Sequence, residues 1–354
     1  MECENRERLL LQFHITGNCN LRCKHCYRTE GDAEPLSYED VVRVVEQFKA
    51  LRRRYNRAHQ TARRGHINLT GGEPFIHREI DRILDYLGDQ RRELTFGVLS
   101  NGSFLTEERI ARLKKNQVAF VQLSIDGDPA THNALRAAGD YERVFATAER
   151  LERAGIRTQI SFTANRENFR FLPLVAKECR RRGISKLWSD RLVPIGNGAA
   201  LDGLVIDRET LPQYLKAMKK AQGGWLAHLR YPKTQVTMNR ALQFQGARGS
   251  IYSCSAGEHL ITVDEFGNIM PCRRLPILCG TVFETTLEAV YCTDPTFAAL
   301  REKQIPAACE QCKMKLLCRG GARCQSAATY GRFNRADPAC PWQKTIHYFD
   351  TPGD

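Results

Sequence analysis

The feature that most restricts the fold is an alternation. From Leu9 to about Tyr231, strand-like runs take turns with amphipathic helical stretches. Leu9–Ile15, His66–Thr70, Leu94–Ser100, Val118–Ile125, Ile156–Thr163 and Lys186–Val193 read as strands. Tyr38–Arg54, Arg78–Leu87, Glu107–Lys115, Tyr141–Ala154 and Phe169–Arg182 show helical spacing between them. Gly155 and Gly183 stand where a helix ends in a left-handed residue. Ser37 and Thr106 stand where N-caps belong, with Asp40 and Glu108 in the first turns. Repeated strand–helix units imply an α/β protein with a parallel sheet, and about six units predict a partial (β/α)6 TIM-like barrel. Such barrels carry their sites at the C-terminal ends of the strands. After Leu211–Ala221 the pattern breaks, and Asp264–Gly267 reads as a turn between His259–Val263 and Asn268–Pro271. The expected division is a core domain over 1–231, a linker over 232–253, a cysteine-rich domain over 254–345 and a tail over 346–354.

A chain of 354 residues with 42% hydrophobic content can fill sizeable cores. No apolar run approaches the ~20 residues of a membrane span. The charged segment Met1–Arg8 leads straight into a strand, which speaks against a secretory signal, so a cytoplasmic location is expected. The net charge of +13 is uneven: Val41–Arg64 holds eight Lys/Arg against one acid, and Cys254–Cys340 ten against nine. A basic stretch attracts polyanions or acidic peptides, or is merely a solvated helix end. Basicity does not decide the function.

The fourteen cysteines decide more. Cys3 and Cys179 stand alone, Cys19, Cys23 and Cys26 form one group, and nine more fall between Cys254 and Cys340. In a reducing compartment such clusters bind metal rather than form disulfides. Three thiolates on one tight loop after the first strand suit three irons of a 4Fe–4S cluster and leave the fourth without a protein ligand. The spacing alone also admits zinc, with His25 and a further cysteine pair as ligands.

The three-cysteine loop, with Gly71-Gly72-Glu73-Pro74 after the second strand, resembles the radical S-adenosylmethionine superfamily. The likeness continues through Ser100-Asn101-Gly102 and Ser124-Ile125-Asp126-Gly127, and covers roughly Leu9 to Val193. It implies that S-adenosylmethionine chelates the open iron through its amine and carboxylate. An electron from the cluster then cleaves the sulfonium to a 5′-deoxyadenosyl radical, which abstracts a substrate hydrogen. The cofactor does the hard chemistry and the protein places it. The resemblance sets Gly72 and Glu73 against the methionyl amine, Ser124 and Arg136 on the cofactor's polar groups, and Asn101 and Asp126 near the ribose. The backbone of His25 and Leu192 is expected beside the adenine, with Tyr27 close by.

The second group runs Cys254, twelve residues, Gly267, four residues, Cys272; then Cys309-x-x-Cys312, five residues, Cys318, five residues, Cys324, and finally Cys340. This resembles the SPASM domain, which carries two auxiliary iron–sulfur clusters. The gap of five residues after Cys318 replaces the usual three. The resemblance assigns Cys309, Cys312, Cys318 and Cys340 to an outer cluster and Cys254, Cys272 and Cys324 to an inner one. Its open iron, if any, could be closed by Cys279, Cys292 or the substrate. Those two cysteines read better as small apolar residues.

SPASM enzymes mostly modify peptides or proteins, so a ribosomally made peptide is the expected substrate, cross-linked, thioether-bridged, epimerised or related. Because the first strand starts near Leu9, no N-terminal recognition domain is expected. Leader binding then needs a separate small protein or the basic face, and a flavodoxin or ferredoxin is implied as reductant. The alternative is a radical enzyme acting on haem, a sugar or another metabolite. Sulfatase maturation is disfavoured, since its members place an aspartate where Arg273-Arg274 follows Cys272. A zinc-dependent nucleic-acid binder is the remaining reading, and Phe48 and Tyr55 are the only aromatic interleaving its basic stretch offers.

Overall fold

A computed structural model describes residues 8–28, 34–237, 254–302 and 304–342. Residues 238–253 of the expected linker, the tail 346–354 and Cys3 lie outside the described residues.

The first unit runs β1 (Leu10–His14), α1 (Tyr38–Ala58), β2 (Gly65–Thr70), α2 (Ile80–Asp89), β3 (Leu94–Leu99), α3 (Glu107–Lys115) and β4 (Val121–Ser124). It continues with α4 (Pro129–Leu135), α5 (Asp140–Arg153), β5 (Thr158–Ala164), α6 (Leu172–Arg181), β6 (Lys186–Arg191), α7 (Leu211–Gln222), α8 (Trp225–Arg230) and β7 (Gln235–Thr237). The C-terminal unit holds β8 (Leu260–Val263), β9 (Asn268–Met270), β10 (Gly280–Thr281), α9 (Leu287–Thr293), α10 (Pro295–Glu302), α11 (Lys315–Cys318) and α12 (Arg323–Tyr330).

Ser37 and Asp40 form a reciprocal capping box at α1, and Thr106 accepts from the Arg109 N–H at α3. Gly155 and Gly183 close α5 and α6 with φ of +79° and +65°. Leu11, Phe13, Ile67 and Leu69 join Val41, Val44, Val45 and Phe48 of α1 in one continuous core. Side chains alternate along a strand, so Gln12, His14, Asn68 and Thr70, all buried, form a polar opposite face. That face is the inside of the barrel.

All pairs from β1 to β7 are parallel, and the sheet order is β10-β9-β8-β1-β2-β3-β4-β5-β6-β7. The order is linear, with β10 and β7 at its edges, so the barrel is partial. Two features depart from expectation. Gln235–Thr237, assigned to the linker, forms β7 and pairs with β6. The expected hairpin exists as β8–β9, yet it extends the barrel sheet: β8 runs parallel to β1, with Leu10 opposite Leu260 and Phe13 opposite Val263. The C-terminal unit is thus built onto the barrel's first strand.

The basic stretch on α1 makes ion pairs, and Lys49 and Arg52 are largely buried. Lys49, Arg52 and Arg53 converge on Glu93, and Arg54 reaches Glu288 of α9.

Candidate active site

The C-terminal ends of β1 to β6 open into one cavity of about 820 Å³. The loop after β1 brings Cys19, Cys23, Cys26, His25 and Tyr27 to its wall, and the loop after β2 brings Gly71 and Gly72. Ser100 and Asn101 follow β3, Ser124 ends β4, Arg136 follows α4, and Leu192 follows β6. Arg273 and Arg274 of the C-terminal unit complete it.

The cysteine loop is organised around sulfur. Cys19 Sγ accepts from Leu21 N–H at 3.5 Å and from the Asn101 amide at 3.8 Å, and Arg136 Nη1 lies 3.7 Å from Cys23 Sγ. Lys24 N–H donates to Leu135 O at 3.0 Å and Gly198 N–H to Cys26 O at 2.9 Å, which clamps the loop between α4 and the segment after β6. Burial pushes the Cys23 thiol up to about 11, against the pull of Arg136. A thiolate there needs a cation, which a metal centre supplies. Among the described residues no three His, Cys, Asp or Glu side chains close on a single point as the ligands of one ion do. Three thiols on one loop at the wall of a wide cavity suit an iron–sulfur cluster with one corner open to a second ligand.

Gly71 and Gly72 let the second loop touch the first. A Cβ at Gly72 would lie 2.3 Å from Asn18 O and 2.6 Å from Gly17 O, and one at Gly71 2.5 Å from Thr16 O. Close approach also makes two bonds, Gly72 N–H to Thr16 O and Glu73 N–H to Asn18 O, both 2.8 Å. Gly72→Ala should therefore cost about 1–3 kcal/mol and weaken S-adenosylmethionine binding in anaerobic equilibrium dialysis. Gly203→Ala, with nothing within 4 Å of its Cβ, is the neutral control.

The Glu73 carboxylate lies behind the wall. It accepts from Ser100 Oγ at 2.9 and 3.0 Å, Asn101 N–H at 2.7 Å and Phe75 N–H at 3.1 Å. Burial nevertheless pushes it up to about 7. Asp126 is also fully buried and absent from the lining. It accepts from Arg136 Nε at 2.6 Å and Thr163 N–H at 2.7 Å, and lies 3.3 Å from His25 Nε2. Burial alone would raise its carboxyl, but Arg136 and His25 more than reverse that and hold it well below the usual range. Glu73 and Asp126 act as anchors for neighbours that face the cavity. Ser124 Oγ and Ser161 Oγ pair at 3.0 Å, while the Leu192 backbone is committed to Ala164 O and the Gln325 amide, both 2.8 Å. Asn101 stands beside Cys19, and the buried His25 Nδ1 has no hydrogen-bond partner among the described residues.

The later cysteines fall into two sets. Cys309, Cys312, Cys318 and Cys340 line a second cavity of about 20 Å³. Cys254, Cys272 and Cys324 lie within electrostatic reach of one another. The five-residue gap separates the sets: Arg319, Gly320 and Gly321 take φ of +51°, +88° and +82°, reversing the chain between Cys318 and Cys324. Cys279 and Cys292 pack against the main core, and Cys179 is fully buried in it.

Arg273 and Arg274 take different parts. Arg274 pairs with Asp190 at the end of β6, and its N–H donates to Cys272 Sγ at 3.5 Å. Arg273 lies over the Tyr27 ring, 5.0 Å from its centroid. Sequence reasoning missed Asp190, Arg191 and Asp337. Arg191 and Asp337 form a buried bidentate pair, with Arg191 Nη1 at 3.0 Å from Asp337 Oδ1. Adjacent opposite charges ending a strand, Asp190-Arg191, were the available signal.

The sequence profile of the radical SAM superfamily matches residues 13–169, and that of the SPASM iron–sulfur cluster-binding domain residues 254–313. The chain is 26% identical to an AdoMet-dependent heme synthase of Nitratidesulfovibrio vulgaris, over 94% of this chain and 92% of that one. It is 27% identical to the mycofactocin maturase MftC of Mycobacterium ulcerans, over 94% and 87%. Streptococcus suis SuiB bound to S-adenosylmethionine shares the fold at a TM-score of 0.72 and 16% identity, covering 94% of this chain and 77% of SuiB.

Proposed function

Because the chain is a radical S-adenosylmethionine enzyme with a C-terminal SPASM domain, we propose that it modifies a residue of a ribosomally made peptide through a carbon-centred radical. S-adenosylmethionine, bound at the open corner of the reduced cluster, would supply hydrogen-atom abstraction from the substrate. On this reading Cys19, Cys23 and Cys26 hold the cluster, and the Gly71–Gly72 backbone admits the methionyl group against the first loop. Asp126 fixes Arg136 beside Cys23, while Glu73 fixes Ser100 and Asn101. Cys254, Cys272 and Cys324 would hold the inner auxiliary cluster, and Cys309, Cys312, Cys318 and Cys340 the outer one. The domain division at about 231 and 254 belongs to the same reading.

The observation that carries it is the shared cavity of about 820 Å³, walled by the cysteine loop on one side and the C-terminal unit on the other. On this reading it seats the cofactor and the substrate together. MftC is a maturase at 27% identity, and SuiB has been solved with a precursor peptide, SuiA. A separate leader-binding protein and a flavodoxin or ferredoxin reductant complete the proposed system. No helix among the described residues is long and apolar enough to cross a membrane, and we place the reaction in the cytoplasm. Thiol-donor epimerisation is the weakest of the peptide chemistries, since Cys179, Cys279 and Cys292 do not line the cavity. Sulfatase-type chemistry is disfavoured, as Arg273, lying over the Tyr27 ring, stands directly after Cys272.

The second reading is a tetrapyrrole substrate, favoured by the 26% identity to heme synthase across nearly the whole chain. Anaerobically purified enzyme should carry about twelve irons and release 5′-deoxyadenosine on reduction. With short peptides encoded beside its gene, one should change mass in a manner dependent on S-adenosylmethionine. Turnover of a haem precursor, and of none of those peptides, would overturn the peptide reading.

A further inference from the structure

Six arginines line the cavity, Arg22, Arg28, Arg136, Arg191, Arg273 and Arg274, and among the described residues no aspartate or glutamate does. The carboxylates that balance them stand behind the wall. Arg136 faces Asp126 on the cysteine-loop side. The other ion pairs cross between the barrel and the C-terminal unit: Arg28 with Glu265, Arg191 with Asp337 and Arg274 with Asp190. The surface a ligand meets is therefore cationic, although the region as a whole is largely neutralised.

Arg273 projects beside these pairs. Its guanidinium carbon lies 5.0 Å from the centroid of the Tyr27 ring, a cation–π contact that holds the side chain at the cavity wall. A guanidinium has five N–H donors, so arginines holding a buried carboxylate can still turn a positive edge to a second anion. Arg136 is beside Cys23 and serves the cofactor end. Arg273 and Arg274 reach the same cavity from the C-terminal unit.

We propose that the substrate presents a carboxylate to the wall formed by Arg273 and Arg274, and that Arg273 is the specificity-determining residue. This inference rests on the reading that the cavity seats a substrate beside the cofactor. A carboxylate could come from a peptide, as its C-terminus or an acidic side chain, or from a tetrapyrrole propionate. Both present the same planar pair of oxygens, which a guanidinium fork binds through two parallel hydrogen bonds.

The test is anaerobic equilibrium binding to enzyme loaded with its clusters and S-adenosylmethionine, with two probe pairs. One pair is a short peptide containing Glu with a free C-terminus, against its amidated Gln counterpart. The other is haem against haem dimethyl ester. In at least one pair the acid should bind about tenfold or more tighter, as expected for a charge-assisted contact. Arg273→Gln at full iron content should lose most of that preference. Arg273→Lys, read in its place if the Gln variant fails to retain iron, keeps the charge but loses the fork and should lose part of it. Equal binding of acid and neutral forms, no binding by either acid, or a preference that survives these substitutions overturns the proposal. A preference in the haem pair alone keeps the carboxylate site and counts against the peptide reading. No preference in either pair, with an encoded peptide still modified, removes the carboxylate site and leaves the peptide reading standing.

Discussion

Replacing Cys23 by serine should abolish 5′-deoxyadenosine release while leaving the protein folded. Cys23 sits on the loop after β1, outside the hydrophobic core, and its carbonyl rather than its thiol makes the local backbone bond, accepting from Cys26 N–H at 3.2 Å. Serine keeps that bond but is a poor iron ligand, so the cluster loses one of its three protein attachments. Bound iron should fall from about twelve to about eight per chain. The far-ultraviolet circular dichroism should be unchanged. Reductive cleavage of S-adenosylmethionine at more than a few per cent of the wild-type rate, with iron at about eight, would show that the loop does not hold the reacting cluster.

The second large effect is on stability. Asp337→Ala should destabilise the protein by about 3–5 kcal/mol, the cost of stranding a buried charge. Arg191 is 2% exposed and Asp337 fully buried. Asp337 also accepts the N–H groups of Ala322 and Ala339, both at 3.0 Å. These flank Cys324 and Cys340, so auxiliary iron should be lost along with stability. Anaerobic denaturant titration reads the first effect and iron analysis the second. Arg191→Met combined with Asp337→Leu should recover most of the stability, because removing both charges removes the desolvation penalty. If the single variant unfolds at the wild-type denaturant midpoint, the pair is not what ties the two units together.

The predicted strands and helices of the barrel all appear with ends displaced by a few residues, because period and capping are local properties. Helix α4 was not anticipated, though Asp128 caps it and Pro129 opens it, a signal in plain view. Most of the residues singled out from the sequence line one cavity, since motif glycines, cysteines and strand-end polar residues are close in sequence to the elements that carry them. What a side chain does within the site was less legible. Glu73 and Asp126 were expected against the cofactor, and their carboxylates instead lie behind the wall, satisfied by backbone and side-chain donors. Orientation of this kind depends on which neighbours fold over a residue.

The chain's linear order thus determined the barrel's strand–helix alternation and the three-cysteine loop, since each depends on local spacing, whereas the grouping of the later cysteines came from the resemblance to the SPASM domain. Only the folded molecule decided that β8 joins β1, that Arg274 grips Asp190 while Arg273 turns to Tyr27, and that Arg191 finds Asp337. Those partners are separated by tens to hundreds of residues. Their meeting is set by the packing of the two units against each other, which no local pattern encodes.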